Sequence, residues 1–273
     1  MQINNRYEMM GIIEVKNSNP NGDPDMDNAP RQDQISGKGL ISDVCLKRKI
    51  RNVFPKEKVL YVPNTLREEK IKEVLETDKS KGKDVKDKTD IAAKVCKAFI
   101  DVRAFGAVLA SKEVNASILG PVQFGMAESV VPIHPIELCI ASSSLHEKAK
   151  THAENHTLGR KQMVSHAVYV FKAYVSPGAA KNTGLTEEDL AEVIEATRAM
   201  FVNDKSAARS EMSLRDLFIF KHATALGNAP SRDVFNTVHV SAINETPTQW
   251  EDYEVTVGEP PAGVTMTWVK GLE

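Results

Sequence analysis

The fold is best inferred from residues 40–54, which read LISDVCLKRKIRNVF. At about 100° per residue this segment forms two distinct helical faces. The apolar face consists of Leu46, Ile50 and Val53. The cationic face, turned away from it, consists of Lys47, Arg48 and Arg51. The pattern predicts an amphipathic helix whose apolar face packs in the core, with Ser42 capping the first turn.

A strand and a long loop precede this helix. Residues 6–16 alternate in polarity and predict a first strand with Tyr7, Met9, Ile13 and Val15 on one side. The loop that follows is rich in Gly, Asp, Asn and Pro, a composition that breaks regular structure. A helix entered from such a loop offers backbone N–H groups and fixed cations to a polyanion. We therefore expect the helix to bind the backbone of a nucleic acid, the alternative being a merely solvated cationic face.

The overall composition restricts how a polyanion can bind. The chain has 273 residues, 41% hydrophobic and 26% charged, which is typical of a globular protein with a core. Its net charge is −2, so the surface as a whole is not basic. Residues 38–58 nevertheless contain seven cations against two carboxylates. Any polyanion site is expected to be local to this region.

Cysteine usage and the amino terminus indicate where the protein works. Cys45, Cys96 and Cys139 are widely spaced and form no CxxC pair, which argues against a zinc ribbon or a disulfide framework. No segment approaches the roughly 18 consecutive apolar residues of a membrane span, and no signal peptide is evident. We expect a cytoplasmic protein that does not contact a membrane.

The remaining chain predicts further strands and helices around two insertions. Helices are predicted from Thr89, with an apolar stripe of Ile91, Val95, Phe99 and Val102, and over residues 186–203 behind a capping box. Strands are predicted at residues 117–126, 136–141, 166–175, 214–222, 237–243, 253–257 and 264–269. Residues 57–88 are dense in charge, and the segment ETDKSKGKDVKDKTD (76–90) indicates a flexible insertion. Residues 142–166 indicate a protruding arm. The order approaches the split βαβ pattern of ferredoxin-like and RNA-recognition folds, so we predict an α+β protein.

The acidic loop is the main candidate for catalysis or metal binding. Its carboxylates are Asp23, Asp25, Asp27 and Asp33. A calcium loop starting at Asp23 would need Gly at Asn28 and Glu at Gln34, so that motif fails. A nuclease-type divalent-metal site remains an open alternative, but loop Asp residues more often bond their own backbone. We predict no catalytic residue, no metal ligand and no cofactor.

Seven sequence blocks together resemble a known family. They are NPNGDPD (19–25), GLISDVCLKRKIRN (39–52), DVRAFGAVL (101–109), GPVQF (120–124), GRK (159–161), SAARSEMSLRDLFIFKH (206–222) and LGNAP (226–230). In this order they resemble the backbone subunit of type I CRISPR surveillance complexes (Cascade), with the type I-C branch of the RAMP superfamily most similar.

The resemblance implies an architecture and a set of RNA contacts. It implies one RAMP-type domain over residues 1–273, with a modified RNA-recognition palm, a fingers insertion at about 55–116 and a thumb β-hairpin at about 136–165. The implied RNA-binding residues are Asn19, Asn21, Arg31, Ser42, Lys47, Arg48, Arg51, Gly159, Arg160 and Lys161.

The resemblance also implies a function. Several copies would oligomerise as a helical filament along a CRISPR RNA and present it for pairing with target DNA in antiviral defence, together with a large, a small and a guide-processing subunit. The backbone would be non-catalytic. Two alternatives stay open. One is a metal-dependent ribonuclease that uses Asp23 or Asp33, as in type III relatives, and the other is a structural filament without RNA.

Overall fold

The computed structural model describes residues 1–79, 88–110, 115–141 and 158–272. The strands are β1 (Tyr7–Ser18), β2 (Gly22–Asp23), β3 (Ala29–Pro30), β4 (Lys38–Ile41), β5 (Gly106–Ala110), β6 (Asn115–Leu119), β7 (Val122–Phe124), β8 (Ala127–Pro132), β9 (Pro135–Ala141), β10 (Leu158–Val175), β11 (Glu211–His222), β12 (Val238–Ala242), β13 (Tyr253–Val257) and β14 (Val264–Lys270). The helices are α1 (Asp43–Arg51), α2 (Arg67–Lys79), α3 (Lys88–Ala98), α4 (Ile100–Phe105), α5 (Pro177–Thr183), α6 (Glu187–Arg198) and α7 (Ser231–Phe235).

An eight-stranded antiparallel sheet organises the chain. Its order is β14-β11-β1-β10-β8-β4, and β7 and β9 also pair with β10. The prediction of an α+β protein is confirmed at this level. Strand β10, with 18 residues, contacts four other strands. This confirms that residues 166–175 form a central strand.

Strand β1 has a hydrophobic core on each side. Its predicted apolar side, which includes Met9 and Ile13, joins the larger core with α1, α4 and α6. Its other side, with Met10 and Ile12, joins a second core with α7 and the β12–β13 hairpin. The helices that flank the predicted site therefore lie on one face of the sheet.

The predicted helix over residues 40–54 begins later and ends earlier than expected. Leu40 and Ile41 belong to β4, where they pair with Glu128 and Ala127 of β8. Two apolar residues in succession fit a strand as well as a helix, and the ladder to β8 decides between them. The predicted cap is confirmed, because Ser42 Oγ accepts a hydrogen bond from Cys45 N at 3.3 Å.

The insertion between α1 and β7 contains regular structure and its own core. The stretch predicted to be flexible, residues 76–90, includes the end of α2 and the start of α3. That prediction was wrong for residues 76–79 and 88–90, and residues 80–87 lie outside the described ranges. The predicted apolar stripe is confirmed, since all four residues are buried with β5 and β6. Phe99 separates α3 from α4 by an extended backbone, φ −121° and ψ 118°. Gly106 ends α4 at φ 79°, where a Cβ atom would lie 2.3 Å from Ile118 O.

The predicted arm begins as a β-hairpin. Strands β9 and β10 pair from Val164↔Pro135 to Leu158↔Ala141. The rest of the predicted arm, residues 142–157, lies outside the described ranges. The hairpin base is where residues 159–161 are held.

The carboxyl-terminal half follows most of the predicted elements. Helix α6 has the predicted capping box between Thr186 and Asp189, but it ends at Arg198 rather than near residue 203. The strands predicted in the tail correspond to β12, β13 and β14. Helices α5 and α7 and strand β8 were not predicted. No helix in the described ranges is long and apolar enough to cross a membrane.

Candidate nucleic-acid interface

The cations of α1 do not share one exposed face, which corrects the sequence prediction. Lys47 is only 8% exposed and pairs with Asp43 at 3.2 Å. Arg51 pairs with Asp101 at 3.2 Å, and Lys49 pairs with Asp204. Arg48 is exposed, and its side chain forms no hydrogen bond or ion pair with any described residue. Of the three predicted cations, Arg48 is therefore the one whose charged group is exposed to solvent.

Arg51 is held firmly at the edge of the site. Its guanidinium lies 4.9 Å from the ring centroid of Tyr61 and 5.2 Å from that of Phe105. Burial lowers the pKa of Arg51, and the carboxylate of Asp101 opposes that shift. The guanidinium remains charged, because arginine titrates far above neutral pH. Arg51 therefore contributes a fixed positive charge rather than a mobile one.

Asp101 joins three segments through one fully buried carboxylate. It accepts hydrogen bonds from Leu60 N at 2.9 Å, Tyr61 N at 3.2 Å and Arg51 Nε at 3.2 Å. These contacts connect α4, the segment at residues 60–61 and α1. The hydrogen bond to Asp101 fixes the backbone of Tyr61, which lies across the first cavity from α1.

A first cavity of about 550 Å³ lies between α1 and the segment at residues 61–67. It is lined by Asn21, Ser42, Val44, Cys45, Arg48, Arg51, Tyr61, Val62, Pro63, Thr65 and Arg67. The guanidinium of Arg67 lies 5.2 Å from the ring centroid of Tyr61, so Tyr61 contacts two arginines. The volume falls within the range of about 300–1,000 Å³ that ligand pockets occupy.

A second cavity of about 350 Å³ adjoins the first. It is lined by Asn19, Pro20, Asn21, Gly22, Asn28, Cys45, Arg48, Lys49, Asp204, Ala208 and Arg209. Asn21, Cys45 and Arg48 line both cavities. We call the two cavities together the α1 groove. Arginines from α1, from α2 and from the loop at residues 204–209 line the groove. The carboxylate of Asp204 also lines it.

The predicted loop residues position the groove as much as they line it. Asn21 Oδ1 accepts hydrogen bonds from Ser42 N and Ser42 Oγ, both at 2.9 Å. Asn19 is 4% exposed, and its Nδ2 donates to Asn28 O at 2.7 Å. Arg31 pairs with Asp23 at 3.1 Å and lines neither cavity. Asn19 and Asn21 thus lie beside α1, whereas Arg31 does not line the groove, and the side chains of Asn19 and Arg31 bond the loop itself.

Of the predicted residues 159–161, Lys161 contacts the loop at residues 204–209. Lys161 Nζ donates to Ala207 O, and the next carbonyl, Ala208 O, accepts from Asn19 N at 2.7 Å. Arg160 pairs with Glu137 across the hairpin at 3.3 Å, and Gly159 is exposed. The loop at residues 207–208 therefore contacts both Lys161 of β10 and Asn19, which lines the second cavity.

The groove residues that were not predicted include Tyr61, Arg67 and Arg209. Tyr61 and Arg67 lie in the charge-dense stretch at residues 57–88, and Arg209 lies in a segment expected to be a plain loop. Arg209 does fall within the sequence block at 206–222, which was an available signal. The position of Arg67 depends on α2, which the charge-dense sequence did not indicate.

The acidic loop does not assemble an obvious metal centre. Asp23 accepts hydrogen bonds from Asp25 N and Arg31 Nη1, both at 3.1 Å. Hydrogen bonds from Ser36 lower the pKa of Asp33, which closes its own turn. Within the ranges that the structure describes, no three His, Cys, Asp or Glu residues are grouped so as to hold a metal ion. Burial raises the pKa of the Cys45 thiol, which disfavours a reactive thiolate in the groove.

Comparison with known proteins identifies the family. The family model of CRISPR-associated protein Cas7 matches residues 5–258. The chain belongs to the Cas7 family. The match includes every residue of the α1 groove and ends before β14.

Individual relatives of this Cas7 chain are distant. The CRISPR-associated protein Cas7 of Haloferax volcanii is 27% identical over 208 residues, which cover 68% of this chain and 61% of the relative. The chain thus spans less than two thirds of that protein. A chain of a CRISPR RNA-guided surveillance complex, in a pre-nicking state, has a TM-score of 0.50 at 14% identity and covers 79% of this chain and 78% of its own length. A second surveillance-complex chain gives a TM-score of 0.47 at 15% identity, over 79% of this chain and 68% of its own.

Proposed function

We propose that this Cas7 chain is the RNA-binding backbone subunit of a CRISPR effector complex, and that this complex is a Cascade of type I-C. Several copies line up along a CRISPR RNA and present it for pairing with target DNA. The observation that carries the proposal is the α1 groove, where the exposed Arg48 joins Arg51 and Arg67 on one side and Arg209 on the other. Arginine is well suited to phosphate because its planar fork of N–H donors matches phosphate oxygens.

The architecture supports a hand-like assignment. The sheet order β11-β1-β10-β8 is the one expected when two strands of a split βαβ unit enclose a third, and we assign this sheet to the palm. The insertion at about residues 55–116 has a separate core and serves as the fingers. The β9–β10 hairpin, within about residues 136–165, forms the base of the thumb. All three parts belong to one RAMP-type domain.

A single local groove suffices for a chain of net charge −2. Each copy contacts only a short segment of RNA, and the filament accumulates these contacts along the guide. Backbone contacts leave sequence reading to base pairing, as a complex that accepts any guide requires. The large, small and guide-processing subunits complete the assembly, which works in antiviral defence in the cytoplasm.

The acidic loop favours a non-catalytic subunit over the ribonuclease alternative. A metal-dependent nuclease needs carboxylates free to bind the ion. Asp23 is instead engaged by Arg31, and Asp33 by Ser36. We therefore assign RNA cleavage to neither residue.

Co-expression tests the proposal. The chain, a CRISPR RNA and the partner subunits should co-purify as one particle that contains several copies of the chain and intact RNA. Asp23→Ala and a divalent-metal chelator should leave both RNA length and RNA yield unchanged, because no metal-dependent cleavage occurs. RNA-free particles would contradict the binding role. Guide or target RNA fragments that disappear in Asp23→Ala would favour the ribonuclease instead.

A further inference from the structure

The second cavity of the α1 groove contains an unused hydrogen-bond acceptor. Asn19 lines this cavity and is 4% exposed. Its Nδ2 donates to Asn28 O at 2.7 Å, which identifies Oδ1 as the remaining atom because only the amide nitrogen can donate to a carbonyl. Oδ1 is buried and has no hydrogen-bond partner in the described ranges. Burying a polar atom without a hydrogen-bond partner costs free energy, so we expect a bound ligand to donate a hydrogen bond to this atom.

The surroundings of Asn19 keep it in place. Its backbone N–H donates to Ala208 O at 2.7 Å, in the same loop as Arg209. Arg209 and Lys49 both pair with Asp204, while Arg48 is exposed on the other side of the cavity. The cavity thus combines a neutral acceptor with an excess of positive charge.

This combination matches one part of RNA. In each ribonucleotide a 2′-hydroxyl donor stands next to a phosphate anion, and DNA lacks that donor. We infer that the second cavity is a ribose subsite, in which Asn19 Oδ1 accepts a hydrogen bond from a 2′-hydroxyl while Arg48 and Arg209 face the adjoining phosphate. The inference rests on the proposed RNA-binding function and adds to it a residue that distinguishes RNA from DNA. A site built to bond a hydroxyl rejects the analogue that lacks it.

Chemically altered RNA isolates the hydroxyl. The purified full chain would be titrated with a fluorescent unstructured RNA and with the same sequence carrying 2′-fluoro sugars. Fluorine keeps the RNA-like sugar pucker but removes the donor, so the comparison tests the hydrogen bond rather than the sugar shape. The wild-type chain should prefer the hydroxyl form by about fivefold, the typical net value of one hydrogen bond.

Two variants at Asn19 assign the preference to this side chain. Asn19→Ala removes the acceptor and should bind both RNAs equally, whereas Asn19→Asp keeps an acceptor and should retain the preference although both affinities fall. Thermal melts establish that each variant is folded. The wild-type comparison needs no variant, so the inference remains testable if Asn19→Ala does not fold.

The outcomes separate this inference from the function on which it rests. Equal wild-type affinity for the two RNAs, with binding that still depends on Arg48, would overturn the ribose subsite and leave the RNA-binding function intact. A preference that survives in Asn19→Ala would overturn the assignment to Asn19. Absence of binding to either RNA would overturn the proposed function and the inference together.

Discussion

Replacing Arg48 and Arg67 together by glutamate is expected to weaken RNA binding on the order of 100-fold at about 0.1 M salt. Both side chains are exposed, and both line the first cavity of the α1 groove. The change converts attraction of phosphate into repulsion at two adjoining points. Because counterion release sets the salt dependence, the slope of log affinity against log salt should also fall by about 1.4 for a single strand. Fluorescence anisotropy at several salt concentrations measures both quantities.

A matched variant separates position from net charge. Lys97 and Lys181 are exposed and line neither cavity, so Lys97→Glu with Lys181→Glu makes the same charge change away from the groove. This control should lose only a few-fold in affinity through long-range electrostatics. Similar losses in the two double variants would mean that RNA responds to overall charge and not to the groove.

Removing the carboxylate of Asp101 is expected to destabilise the protein by about 3–5 kcal/mol. Asp101→Ala leaves the guanidinium of Arg51 largely buried without its partner and also leaves the N–H groups of Leu60 and Tyr61 without their acceptor. The midpoint of thermal unfolding should fall on the order of 10 °C. Circular dichroism melts would measure the shift.

The control for Asp101 is another carboxylate that pairs with α1. Asp43 forms an ion pair with Lys47 at 3.2 Å, but its side chain is 39% exposed. Water reaches this pair through Asp43, so Asp43→Ala should cost less than Asp101→Ala, on the order of 1 kcal/mol, even though it removes the partner of the largely buried Lys47. If Asp101→Ala melted within the range of Asp43→Ala, Asp101 would not be the buried connection between α1, α4 and Tyr61.

The sequence predicted the parts of the fold that depend on local patterns. The apolar face of α1, the Ser42 cap, the capping box of α6 and the central strand within β10 all follow from spacing over a few residues. The predicted start of α1 was wrong because Leu40 and Ile41 fit both the helical and the strand pattern of apolar residues. Only pairing with β8, a distant strand, assigns them to β4.

The exposure of the α1 cations could not be predicted from local spacing. A helical projection places Lys47, Arg48 and Arg51 on one face, but it contains no information about which carboxylates will approach. Asp101 is 50 residues from Arg51, and Asp204 is 155 residues from Lys49. The same limit applies to Arg67 and Arg209, which reach the groove from α2 and from the loop before β11. Their contribution became visible only when the chain was folded.

Charge reversal at Lys47 and Arg51 is what the sequence alone would suggest as a test of RNA binding. Both side chains are largely buried in ion pairs, so such a variant would lose stability as well as charge. Arg48 and Arg67 avoid that ambiguity.

Cross-linking of the guide to the protein locates the RNA-binding surface. A complex assembled on thiouridine-substituted CRISPR RNA would be irradiated, digested and analysed by peptide mass spectrometry. We expect cross-links in peptides that contain residues 61–67 and 204–209 and the exposed side of α1. Cross-links confined to the opposite face of the sheet, at α7 and the β12–β13 hairpin, would contradict the assignment of the α1 groove as the RNA-binding surface.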